Sequence, residues 1–78
     1  MAIESIYFSV CSSREPRKVN YDSREIAMGH LDANIKRARA EGGSAGMLHN
    51  GQWELFFPNR SMILCWVEDP GGDVQMFP

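Results

Sequence analysis

The chain has 78 residues, 44% of them hydrophobic and 23% charged, with a formal net charge of −2. This length fits one domain, 1–78, whose modest core buries roughly 60–65% of the surface exposed by the unfolded chain, and the composition excludes a disordered segment. No run approaches the ~18 apolar residues of a membrane span, and the first residues lack the basic-then-apolar pattern of a secretory signal. The expectation is therefore a soluble, cytoplasmic protein that does not engage a membrane.

Residues 3–11 read as the first strand. Ile6, Phe8 and Val10 alternate with Tyr7, Ser9 and Cys11, the period of a strand with one buried face. Residues 12–18 are polar and carry Pro16, which reads as a surface loop. The helix start follows. Asp22 and Glu25 have the spacing of a capping box, with Tyr21 and Ile26 at the positions of a hydrophobic staple. Met28, Leu31, Ile35 and Ala38 then recur at spacings of three and four, a single apolar stripe. Asp32 and Lys36 form an i,i+4 pair, and Lys36, Arg37 and Arg39 suit the negative end of the helix dipole. Gly42 and Gly43 stop the helix. Gly29, unfavourable in mid-helix, suggests a close approach by a strand.

Beyond Gly43 the period changes to two. Asn50-Gly51 signals a type I′ hairpin, which sets Leu48 opposite Trp53 and Met47 opposite Glu54. Leu48, Trp53, Leu55 and Phe57 then share one face, with Met47, Glu54 and Phe56 on the other. Residues 58–60 are a second turn. Residues 62–68 form a strand apolar on both sides, Met62, Leu64 and Trp66 against Ile63, Cys65 and Val67. Asp69-Pro70-Gly71-Gly72 is a turn, and 73–77 return as a short last strand. The predicted fold is α+β: an antiparallel, possibly mixed sheet of four or five strands with one helix on one face, in the order β-α-β-β-β-β.

A single helix covers one face of such a sheet, and an uncovered antiparallel face is normally polar. Whichever set of strand 62–68 meets the helix, an apolar set remains, which Phe56, Met47, Ala45 and Tyr7 are candidates to join. Exposed apolar patches of this kind mark interfaces. Sheet curvature that wraps the set into the core, self-association as a homodimer, and a foreign partner are the three outcomes open at this level.

Groups arranged for chemistry are scarce. Cys11 and Cys65 stand far apart without a CxxC spacing, and free, reduced thiols are expected over the alternative, a single long-range disulfide. His30 and His49 form no signature with either cysteine. Residues 69–73 lack the ligand spacing of a calcium loop, and the glycine pairs fit no phosphate-binding pattern. No catalytic residue, metal site or cofactor is therefore assigned. Residues 1–40 hold seven Lys/Arg against five Asp/Glu, whereas 41–78 hold Arg60 alone against five acids. This mild asymmetry leaves Arg14, Arg17, Lys18, Lys36, Arg37 and Arg39 as candidates for binding nucleic acid or an acidic partner.

The residues point to a non-enzymatic protein-interaction module whose partner-binding set is Trp66, Leu64, Met62, Phe56, Met47 and Tyr7. A nucleic-acid-associated accessory domain and a small dimeric enzyme subunit with a shared site are the alternatives. In length, mildly acidic balance, single β-α-β domain and absence of an enzyme motif, the chain resembles the small inhibitors of phages and mobile elements, such as anti-CRISPR proteins. That resemblance is one of format and assigns no residue; it implies a protein that blocks a complex by occupying its surface.

Overall fold

In the computed structural model, which describes residues 7–12, 16–58 and 62–76, five strands form one antiparallel sheet and a single helix lies on one side. The elements are β1 (Tyr7–Ser12), β2 (Arg17–Tyr21), α1 (Arg24–Ala40), β3 (Ser44–Met47), β4 (Trp53–Phe56) and β5 (Ile63–Glu68). In space the strands run β2-β1-β5-β4-β3. The expected α+β class and the single helix over an antiparallel sheet are observed. One strand is placed differently. Residues 17–21, read partly as loop, pair with β1 from Tyr7↔Tyr21 to Cys11↔Arg17. The tail read as a last strand makes one isolated bridge, Val74 to Glu68. Strand β2 is exposed from Arg17 to Asn20, so it lacks the apolar alternation by which a half-buried strand is recognised.

The core lies between α1 and the sheet. The stripe predicted for the helix is what it buries, with Ala27 added: Met28, Leu31, Ile35 and Ala38 meet Leu55, Cys65 and Val67. Full burial of a side chain such as Leu31, 0% exposed, is worth about 2–3 kcal/mol. The helix entry differs from expectation by one residue. Ser23, not Asp22, is the N-cap, with its hydroxyl accepting from the backbone N–H of Ile26 at 3.2 Å. With Ser23 as N-cap, Tyr21 and Ile26 no longer hold the N′ and N4 positions of a staple, and Ile26 is 50% exposed. The exit follows the sequence closely. Glu41 caps the helix, the Gly42 N–H donates to the Arg39 carbonyl at 3.1 Å and the Gly43 N–H to Ala38 at 2.9 Å, and Gly42 holds φ +90°. This is a Schellman closure.

Strand approach occurs at Gly43, not at Gly29. A methyl group at Gly29 would have nothing within 4 Å, whereas one at Gly43 would run into the Phe56 carbonyl group, 2.8 Å from its carbon. The β3–β4 turn also differs by one position. Met47 stands opposite Trp53 and Gly46 opposite Glu54. The connection closes with Leu48 N–H donating to Gln52 O at 2.8 Å, and Gly51 takes φ +90°. This is a three-residue hairpin loop, 49–51, with glycine at its left-handed last position, rather than a two-residue type I′ turn.

Cys11 and Cys65 face each other across the β1–β5 ladder. They form a disulfide, with Cα atoms 4.2 Å apart. The expectation of free thiols is corrected here: 54 residues apart in sequence, the two are brought to one rung by pairing the central strands. The predicted turn at 58–60 lies partly outside the described residues.

Candidate functional site

Strand alternation sorts the site residues onto two faces. In β5 the set Ile63, Cys65 and Val67 turns to the helix. Leu64 and Trp66 therefore lie on the outer face. The β1–β5 register sets Val10 opposite Trp66 and Phe8 opposite Glu68. Continuing the β4–β5 register, which pairs Leu55 with Ile63, brings Phe56 opposite Met62. The outer face thus joins Phe8, Val10, Leu64, Trp66, Phe56 and Met62. No element among the described residues forms a second layer over them. Phe56 is 44% exposed while Val10 is 1% exposed, and Phe8, Leu64 and Trp66 are half-buried.

A polar latch orders this surface. The Trp66 indole Nε1–H donates to Glu68 Oε2 at 2.8 Å. The other carboxylate oxygen of Glu68 meets Lys18 Nζ at 3.4 Å. The Lys18 ammonium in turn lies 4.9 Å from the centroid of the Phe8 ring. The ion pair is worth little by itself at a wet surface. Its effect is geometric: Trp66 is tied by its polar edge, so its ring is presented in one orientation, and an ordered aromatic loses little rotamer freedom on binding.

Four of the six predicted partner-binding residues, Trp66, Leu64, Met62 and Phe56, are brought together. Tyr7 is not among them. It packs against the core on the helix side, because the odd-numbered positions of β1 face α1. Met47 is 46% exposed, but the three-residue loop places it opposite Trp53, on the helix side at the edge of the sheet. A one-residue change in a hairpin moves every side chain to the other face. Phe8, Val10, Glu68 and Lys18 belong to the face and were not assigned to it. Val10 adjoins Trp66 because Cys11 pairs with Cys65 one position along the same ladder, a register that spacing in sequence does not reveal.

The cationic candidates do not form one patch. Arg17 and Lys18 are neighbours on β2 and so point to opposite sides of the sheet, with Lys18 on the outer face. Lys36 pairs with Asp32 at 2.9 Å, as predicted, and Arg37 with Glu41 at 3.0 Å. Arg39 is exposed near the helix end, and Arg14 lies outside the described residues. Arg24, at the helix start, instead holds the tail, donating to the Gln75 side chain at 3.2 Å and to the Met76 carbonyl at 2.9 Å. Asp69, weighed as part of an acidic loop, closes a turn by accepting from the Gly71 and Asp73 N–H groups, both at 2.9 Å. The described residues contain no cluster of three potential metal ligands, and no described helix is long and apolar enough to cross a membrane.

No protein-family model matches the chain, and neither the curated proteins nor the solved structures give a significant match.

Proposed function

We propose that this chain is a non-enzymatic protein-binding module that docks through the outer face of its sheet. The observation that carries the reading is the uncovered apolar set around Trp66, ordered by the Glu68–Lys18 latch. Aromatic and methionine side chains at the centre of a surface, ringed by charge, have the composition of an interface core. The partner fitted to it is a protein with an apolar surface patch and polar groups to meet Lys18, Glu68 and Glu54. Occupying a functional surface of that partner would make the chain an inhibitor, in keeping with its small-inhibitor format.

The test is retention of a partner from nuclease-treated lysate by wild-type protein and by three variants, with circular dichroism to verify folding. Trp66→Ala and Phe56→Ser are expected to lose the partner. Ile26→Ser, which removes an exposed apolar side chain from the helix, is expected to keep it. Equal retention by all three sinks the proposal. A Trp66-dependent dimer of the protein alone would replace the foreign partner with a second copy.

A further inference from the structure

Two clefts open along the helix side of the sheet, of about 290 and 280 Å³. They meet at two residues, Cys11 and Asn34, which line both. The disulfide therefore borders a groove at Cys11, while Cys65 belongs to the core. Its two cysteines are unequally exposed. Cys65 is 2% exposed, whereas Cys11 is only partly buried. The Asn34 amide Nδ2 reaches Cys11 Sγ at 3.9 Å, a weak contact that marks the sulfur as within reach of a donor on the helix.

The charged groups facing the groove favour an anion. Arg17 lines one cleft, and Arg37 lines the other with Glu41, the one carboxylate that faces the groove among the described residues. Glu41 is already held by Arg37 Nε at 3.0 Å. His30 stacks on Tyr21, 4.5 Å between centroids, and two arginines against one carboxylate give the lining a net positive charge in a protein that is negative overall. The two clefts also offer more room than a bare mercaptan fills.

We propose that the groove is a thiol–disulfide exchange site for anionic low-molecular-weight thiols of the peptide-thiol class. The incoming thiolate attacks Cys11 Sγ, forming a mixed disulfide, and the electron pair of the broken S–S bond leaves on Cys65 as a thiolate. A second thiolate attacks the small-molecule sulfur of that adduct and releases Cys11. The balance is two external thiols oxidised to one disulfide, two protein thiols formed, and two electrons and two protons transferred. This inference is independent of docking through the outer face.

The test uses the full chain and glutathione as the probe. Alkylation of the folded, untreated protein should label neither cysteine. Reduction is then followed by acid quench and mass mapping, comparing glutathione with neutral 2-mercaptoethanol per unit of thiolate. Glutathione is expected to react about three-fold faster at low salt, with the advantage lost in high salt and in an Arg17→Gln/Arg37→Gln variant. The quenched adduct should map to Cys11. Wild-type mapping removes dependence on a cysteine variant that fails to fold. Labelled cysteines in the untreated protein, an adduct on Cys65, no preference for glutathione, or one rate for both thiols that rises only with denaturant would each overturn the proposal.

Discussion

Replacing Gly43 and Gly29 by alanine should have opposite effects of unequal size. At Gly43 the new methyl group collides with the Phe56 carbonyl and lies 3.1 Å from the Ala38 carbonyl oxygen. Backbone must move, and two structures share the damage. One is the helix closure, in which the Gly43 N–H donates to Ala38 at 2.9 Å. The other is the adjacent β3–β4 rung, Ser44↔Phe56. A lost hydrogen bond contributes about 1 kcal/mol, and the displacement of β4, which carries the buried Leu55, adds overpacking of about 1–3 kcal/mol. The expected loss is about 3 kcal/mol, against a total stability on the order of 4–12 kcal/mol for a domain of this size. At Gly29 the methyl group enters open space, and the substitution should gain about 1 kcal/mol from helix propensity. With about 4–8 °C per kcal/mol in a small domain, the two variants should melt roughly 12–24 °C below and about 4–8 °C above wild type. Urea unfolding followed by tryptophan fluorescence and far-UV circular dichroism measures both free energies. A Gly43→Ala protein within about 0.5 kcal/mol of wild type, the usual scatter of harmless surface changes, would refute the close approach of β4 to the helix end.

Other expectations address the remaining elements. Ser23→Ala should cost about 1 kcal/mol as the loss of an N-cap, while Asp22→Ala should be close to neutral; the reverse order in thermal melts would restore the cap to Asp22. Leu31→Ala should cost about 3–4 kcal/mol, enough to leave a substantial unfolded fraction in urea titrations. Opening the disulfide with excess reductant removes a cross-link between residues 54 apart, so the unfolding free energy should fall by about 4 kcal/mol on chain-entropy grounds; equal melting with and without reductant would contradict this. Glu68→Gln weakens the charge-assisted acceptor of the Trp66 indole, and in a Trp53→Phe background the Trp66 emission should shift to the red and its anisotropy should fall. Unchanged emission and anisotropy would mean the latch does not order the ring.

Local chemistry was legible from the residues alone. The stripe Met28, Leu31, Ile35 and Ala38 determined the buried face of the helix, because a spacing of three and four lines one side whatever the helix meets. The glycine pair 42–43 determined where the helix ends, and residues 62–68 announced a strand apolar on both sides of a sheet with one helix. From these alone an unpaid-for apolar face followed, with Trp66 and Leu64 as candidate members. Tertiary structure decided which set that would be. Ile63, Cys65 and Val67 turn to the helix on a central strand flanked by β1 and β4, and the register with those neighbours is not encoded within any one segment. Pairing across 54 residues joined the two cysteines, which spacing in sequence kept apart. The same pairing set Val10 beside Trp66. A single extra residue in the hairpin loop sent Met47 to the helix side, since the two-residue period of a strand converts a shift of one into a change of face. Strand β2 carries no side-chain signature because four of its five residues are exposed, and its place in the sheet comes from backbone pairing with β1.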